Sequence, residues 1–243
     1  MYSNFDNSLN IPNGVNLTTE LKSNSLNVMV VGLGGLGVVS LAQKLRNLIA
    51  QRYPHVHTIE QRGIAQRRSS TSAVVSAANF FVSPSLSETK VNLLIALEPL
   101  EALRFSHLLK PNGMCFISDS RIETICGSHP KYAYPDTEEI IKSIERCGAY
   151  CLTLPTAEWL KTEELLPFHV SSAMLGMFCA AFNFDYPKYK KTICDQKNLA
   201  ACQWGFKQFN NLYKPHEYSN PVMRQFRPVS HFSQPELKVE YAV

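Results

Sequence analysis

The sequence predicts a three-layer α/β/α sandwich around a mostly parallel sheet, and three observations carry that expectation. Between residues 27 and 213, short β-rich apolar runs alternate with segments whose apolar residues recur at helical spacing, the order of a sheet covered by helices. Runs such as Val91 to Leu97 (VNLLIAL) are apolar at nearly every position, as strands buried on both faces are. Finally, four of only 11 glycines fall at Gly32, Gly34, Gly35 and Gly37, between the first such run and the first helical one. Glycine lets backbone turn tightly or approach a ligand closely, so this cluster marks the turn whose role has to be explained.

The elements follow in order. Asn27 to Val31 (NVMVV) is the first strand, and Val38 to Arg52 is a helix stopped by Pro54. Val56 to Glu60 and Thr71 to Ala77 are the second and third strands, and Val91 to Leu97 the fourth. Pro99 stands where a first-turn proline is tolerated and opens a helix over Leu100 to Leu109, after which Pro111-Asn112-Gly113 turns the chain into Met114 to Ser118. Asp136 with Glu139 has capping-box spacing, and Gly148 stands where that helix would stop. Tyr150 to Leu154 is a strand, and two helices over His169 to Asn183 and Asp195 to Tyr213 close the domain. Residues 1 to 26, rich in Asn, Ser and Thr, are expected to form a flexible arm. From Lys214 onward the prolines at 215, 221, 228 and 235 predict an extended tail.

Composition narrows the function. With 45% hydrophobic and 18% charged residues the chain can bury a sizeable core and is not of the disordered class. A net charge of +4 offers no dominant basic face for nucleic acid. The longest helical apolar run, Ala173 to Phe182, is far short of the roughly 18 residues of a membrane span. The opening residues lack the basic and apolar blocks of a secretory signal, so a cytoplasmic location is expected. Seven cysteines, at 115, 126, 147, 151, 179, 194 and 202, show no CxxC spacing. They predict reduced packing thiols rather than a zinc or iron–sulfur site, with Cys147 and Cys151 the one pair to check. His107 and His169 have no matching ligand set and are expected to be structural; Trp159 and Trp204 read as packing or interface residues. Ser40, Ser69 and Ser70 lack a nucleophile-elbow context.

A strand ending in Gly32-Leu33-Gly34-Gly35-Leu36-Gly37 and opening a helix is the Rossmann-like context for a turn whose backbone N–H groups face an anion; without a ligand the same pattern is a tight turn with close packing. Glu60 ends the second strand 23 residues beyond Gly37, near the separation of about 20 at which an acid accepts ribose hydroxyls in dinucleotide folds. Arg62, Arg67 and Arg68 follow, as a second phosphate grip or as a solvated basic loop.

Three blocks together carry a family resemblance: GLGGLG at 32 to 37, EQRGIAQRRSS at 60 to 70, and LIALEPLEALR at 94 to 104. In order and spacing they resemble the gamma domain of 2-oxoacid:ferredoxin oxidoreductases, of the pyruvate and ketoisovalerate type. The nearest form is the small beta subunit of the indolepyruvate enzymes. That family tends to show GxGGQG, then E-x-H-G-M-A-Q-R-G-G-S, then an ALEPLEALR-like stretch. The resemblance runs from about residue 27 to 210, and implies a gamma-type catalytic domain over residues 27 to 213.

The resemblance implies that a larger partner subunit holds thiamine diphosphate, magnesium and 4Fe-4S clusters, that none of these is bound wholly by this chain, and that coenzyme A is a cosubstrate. The assembly would convert an aryl-pyruvate-like 2-oxo acid to an acyl-CoA and pass electrons to ferredoxin, the isolated chain being inactive. On that basis Gln66, Arg67 and Glu60 are the candidate catalytic residues, and Gly32, Gly34, Gly35, Gly37 and Glu98 the candidate cofactor-binding ones. Glu98, before Pro99, also reads as a helix cap. The chain departs from the family pattern in having Leu36 for glutamine, Arg62 for histidine, and Arg68 and Ser69 for two glycines. Two other readings stay open: a free-standing NAD(P)-dependent oxidoreductase using the glycine turn and Glu60, and a non-catalytic interaction module that keeps the fold.

Overall fold

The structure is a computed structural model that describes residues 25–63, 68–81, 91–122, 134–184 and 195–212. The expected arm up to residue 24, the tail from 214, and Gln66 and Arg67 lie outside the described residues.

Six strands form one sheet in the order β2-β3-β1-β4-β5-β6. They are β1 (Ser25–Leu33), β2 (His55–Arg62), β3 (Ser70–Ala78), β4 (Val91–Ala96), β5 (Leu109–Ser118) and β6 (Tyr150–Leu154). β1, β4, β5 and β6 pair in parallel, whereas β3 runs antiparallel between β1 and β2. The mostly parallel expectation holds, with β3 as the exception. Only residues 63–69 join β2 to β3, and a parallel return needs a crossover of about a dozen residues or more.

The helices are α1 (Val38–Ile49), α2 (Pro99–Phe105), α3 (Thr137–Glu145), α4 (Thr156–Thr162), α5 (His169–Ala181) and α6 (Gln196–Leu212). Alternation along β1 divides the core. Val28 and Val30 face a cluster with Leu41, Leu45 and Leu48 of α1 and Phe178 of α5; Met29 and Val31 face a smaller one with Ala102 of α2 and Ile140 and Ile144 of α3. Burying each of those α1 leucines contributes about 2 kcal/mol, and this places α1, α5 and α6 on one side of the sheet and α2 and α3 on the other. That is the expected three-layer architecture.

α5 is buried from His169 to Cys179 and crosses α6 at contact distance. A Cβ placed on Gly176 would lie 1.9 Å from the Cys202 carbonyl oxygen, and one on Gly205 would lie 1.9 Å from that of Ala173. The two backbones touch only because both positions lack a side chain. Around this crossing, Ser172 donates to Asn198 Oδ1 at 2.8 Å, and Trp159 stacks on Trp204 with ring centroids 4.2 Å apart. Both tryptophans therefore pack within the domain.

Several boundaries differ from the sequence expectations. The helix opened by Pro99 ends at Phe105 in a single 3-10 turn, where the Ser106 hydroxyl donates to the Leu103 carbonyl at 2.8 Å. Pro111-Asn112-Gly113 does not precede β5 but lies inside it as an irregularity, with Asn112 at φ 61° and its N–H bonded to the Gly148 carbonyl at 2.8 Å. α4 was not anticipated. The capping box of α3 forms as expected: Thr137 N–H donates to Asp136 Oδ1 at 2.9 Å, and Asp136 N–H to Glu139 Oε2 at 3.4 Å.

Candidate functional site

In an open sheet ligands gather beyond the carboxyl ends of the parallel strands. On that edge β1 delivers the glycine turn, β2 delivers Glu60, β4 delivers Glu98 and β5 delivers Asp119. Because β3 is antiparallel, its first residue, Ser70, starts on the same edge, paired with Leu33. Gly63 and Arg68, which flank the segment containing Gln66 and Arg67, stand there too.

The turn itself is tightly made. Leu36 N–H closes it on the Leu33 carbonyl at 3.1 Å, and Gly37 is the N-cap of α1 at φ 87° with no side-chain cap. A Cβ on Gly37 would sit 2.8 Å from Ser171 Oγ, so α5 closes that side of the turn. Gly35, at φ 98°, is exposed, and among the described residues no atom beyond its chain neighbours lies within 4 Å of where its Cβ would be. Among the described residues the turn is therefore walled on one side and open on the other, with the positive end of the α1 dipole beside the opening. Leu36 turns inward and is buried with the α1-side core, so the family's glutamine position faces apolar surroundings here.

The 68–70 segment lies against the turn. Gly34 N–H donates to the Ser69 carbonyl at 2.8 Å, and Arg68 N–H donates back to the Gly34 carbonyl at 3.3 Å. Arg68 holds φ 57°, a left-handed conformation that glycine adopts without penalty and arginine at roughly 1–2 kcal/mol. Arginine thus holds here a backbone form that suits glycine. Ser70 Oγ donates to Glu101 Oε2 at 2.5 Å, which brings all three motif blocks together.

Glu98 and Glu101 are both about 1% exposed. Glu98 caps α2, accepting the Glu101 N–H at 3.0 Å, and its other oxygen accepts the Tyr134 hydroxyl. Burial holds its carboxyl above the usual range, against the lowering effect of the Tyr134 and backbone donors. The Tyr134 phenol is raised in turn, first by burial and then by the carboxylate. Glu101 is raised by burial too; the Ser70 hydrogen bond and Arg104, whose Nε lies 3.3 Å away, oppose that shift. Both oxygens of Glu98 are engaged within the chain, in the capping arrangement that its place before Pro99 suggested.

Glu60 does not meet the dinucleotide expectation. Its Oε2 accepts Arg62 Nη2 at 2.7 Å, and β3 separates β2 from β1. Two inter-strand steps of about 4.8 Å put Glu60 roughly 10 Å from the turn, whereas a ribose-binding acid ends the strand adjacent to it.

Farther along the same edge, a groove of about 550 Å³ is lined by Asp119, Arg121, Leu160, Lys161, Leu165 and Pro167 among others. Sequence reasoning missed it, because its walls come from β5, α4 and the loop before α5. Asp119 Oδ1 accepts the Ala157 N–H at 2.8 Å and the Thr156 hydroxyl at 3.0 Å, fixing the start of α4. Arg121 is held by Asp136 and by Thr137 Oγ1 at 2.9 Å, and lies over the Tyr134 ring at 5.4 Å. The Arg121 guanidinium holds the Asp136 carboxyl below its usual range.

The chemistry of the donor set limits what this chain holds by itself. Among the described residues no group of three or more His, Cys, Asp or Glu side chains could hold a metal ion. Cys115, Cys147, Cys151, Cys179 and Cys202 are free thiols. Cys151 pairs in register with Cys115 rather than approaching Cys147, and burial pushes the Cys115 thiol well up and that of Cys179 up to about 12. Cys115 and Cys179 are therefore poor thiolate ligands, and without a three-residue ligand group the described residues do not fit an iron–sulfur cluster or a magnesium ion. His169 is 3% exposed with its ring against the Leu166 backbone, Nδ1 3.1 Å from the N–H, as a structural histidine would be. No helix among the described residues is long and apolar enough to cross a membrane.

Known proteins are similar to this chain in sequence and in fold. The indolepyruvate oxidoreductase subunit IorB of Archaeoglobus fulgidus is 30% identical over 192 residues, which cover 75% of this chain and 94% of that one. Among solved structures, the gamma subunit of a keto/oxoacid ferredoxin oxidoreductase from Geobacter sulfurreducens shares the fold with a TM-score of 0.53 at 16% identity, over 78% of this chain and 99% of that one. A 2-oxoglutarate:ferredoxin oxidoreductase from Magnetococcus marinus, solved with 2-oxoglutarate, coenzyme A and succinyl-CoA bound, matches with a TM-score of 0.55 at 16% identity. That match covers 79% of this chain and spans about a third, 31%, of the longer one. The pyruvate ferredoxin/flavodoxin oxidoreductase family model matches residues 27–207, three-quarters of the chain and nearly all of the sandwich described above, and the chain belongs to that family.

Proposed function

We propose that this chain is the small subunit of a 2-oxoacid:ferredoxin oxidoreductase acting on indolepyruvate or a related aryl-pyruvate. A larger subunit would hold thiamine diphosphate, magnesium and 4Fe-4S clusters. The assembled reaction is oxidative decarboxylation: a 2-oxo acid and coenzyme A become an acyl-CoA and carbon dioxide, and two electrons pass to ferredoxin. The thiamine group supplies the carbanion chemistry when bound. This chain's part is to complete a cleft from one side. The exposed Gly35 face of the turn leaves room for a partner's cofactor or a coenzyme A phosphate to approach backbone N–H groups, and Arg67, with Gln66, grips a phosphate or carboxylate there. The complex would act in the cytoplasm.

The convergence of the three motif blocks on one sheet edge is the observation that carries this reading, through the Gly34–Ser69 and Ser70–Glu101 hydrogen bonds. A free-standing dinucleotide enzyme would not need it, and the position of β3 argues against that alternative. The strained left-handed backbone that Arg68 holds beside the turn favours a working site over a bare scaffold. Affinity purification of the full chain from its native host is expected to bring down a larger, brown, thiamine-binding subunit with indolepyruvate:ferredoxin activity. Recovery of this chain alone would overturn the proposal. In the reconstituted complex Arg67→Ala is expected to lower turnover about tenfold or more, as loss of one bidentate charged contact does, and unchanged turnover would remove Arg67 from the site.

A further inference from the structure

Ser70 is fixed on both sides at the end of the β1–β3 ladder. Its carbonyl accepts the Gly63 N–H at 3.2 Å, and its hydroxyl reaches Glu101 Oε2 at 2.5 Å. Immediately before it, the Ser69 carbonyl and the Arg68 N–H close on the N–H and carbonyl of Gly34. Glu101 itself is immobilised, its backbone N–H held by Glu98 Oε2 at 3.0 Å and its Oε1 3.3 Å from Arg104 Nε. A buried carboxylate is a costly way to fill space, and an apolar residue of similar volume would pack at least as well. What a carboxylate adds at this place is a strong, directional acceptor for one hydroxyl.

The geometry points to Glu101 as a positioning residue for the glycine turn. Its carboxylate anchors Ser70, Ser70 fixes residues 68 and 69, and their backbone clamps Gly34 from both directions. Glu101 touches neither substrate nor cofactor in this account; it sets the shape of the turn from α2, behind the sheet edge. The role in catalysis rests on the proposed oxo-acid function, while the clamp itself is a property of this chain alone.

Amide hydrogen exchange on the full chain tests the clamp. Glu101→Ala and Ser70→Ala are each expected to speed exchange at the Gly34 and Arg68 amides about tenfold, the effect of one lost hydrogen bond on a local opening. Amides of β4 and α6 serve as the control for the fold and should not change in Ser70→Ala. Glu101→Gln keeps an oxygen that accepts the Ser70 proton and is expected to restore exchange to within about twofold of the parent chain. If exchange at Gly34 and Arg68 is unchanged in Ser70→Ala, the clamp is overturned whatever the activity, and this variant carries the test should Glu101→Ala not fold. In the reconstituted complex Ser70→Ala and Glu101→Ala should each lower kcat about tenfold with KM for the 2-oxo acid unchanged, and Glu101→Gln should hold kcat near the parent value. Faster exchange with unaltered kcat would overturn the positioning role. Failure to find any oxo-acid complex would sink the proposed function while leaving the exchange result standing.

Discussion

Two regions of this molecule depend on glycine for opposite reasons. At the α5–α6 crossing, Gly176 and Gly205 let two helix backbones meet, and each missing Cβ is replaced by a carbonyl oxygen of the facing helix. At the turn between β1 and α1, no described residue beyond its chain neighbours comes within 4 Å of the absent Cβ of Gly35, and what this glycine provides is a left-handed φ of 98°. Gly37 stands between these cases, with both a left-handed φ and Ser171 against it. Filled space at a glycine identifies a core, whereas empty space beside a helix N-terminus identifies an approach route.

Substitutions can break that contrast. Gly205→Ala should have the largest effect on stability, because its Cβ would meet the Ala173 carbonyl at 1.9 Å; a loss of about 3 kcal/mol or more is expected. An unchanged denaturant midpoint would mean that the helices can separate freely. Gly37→Ala combines the left-handed penalty with the Ser171 contact and should cost about 2 kcal/mol. Adding Ser171→Gly is expected to return the steric part only, leaving the chain still less stable than the parent. Gly35→Ala tests the open side: stability should fall by only about 1 kcal/mol, from the backbone conformation. Turnover of the assembled enzyme should fall further than that loss explains, and unimpaired turnover would show that nothing approaches the turn. Arg68→Gly should have the smallest effect. Relief of the left-handed strain is partly offset by the greater freedom of glycine in the unfolded chain, so a gain of about 0.5 kcal/mol is expected in the denaturant midpoint.

Local features were legible in the sequence wherever neighbouring residues settle them. The Asp136–Glu139 capping box and the span of β6 came out as expected, because a cap needs residues only three apart and a short β-rich run between turn signals needs only its own residues. The direction of β3 could have been read from the short β2–β3 connection, although the apolar runs alone do not express it. α4 was hidden for a different reason. It is seven residues long and has no side-chain cap from its own N-cap residue; the Asp119 carboxylate, delivered from the end of β5, accepts the Ala157 N–H and the Thr156 hydroxyl of its first turn. Glu101 was hidden in the same way, since its partner Ser70 lies 31 residues earlier in the chain. The groove at Asp119 and Arg121 has walls from three separate segments and leaves no local pattern.

By itself, then, the sequence determined the alternation of strands and helices, the caps, the glycine turn and the family to which its motif blocks point, because each is set by residues close together in the chain. Tertiary structure alone decided that β3 would stand between β1 and β2, that Glu60 would end two strands from the turn while Ser70 and Glu101 joined beside it, and that Gly35 would face open space while Gly205 met a helix. Hydrophobic period and capping act over a few residues, whereas which groups share an edge depends on loop length and on the packing of segments distant in sequence.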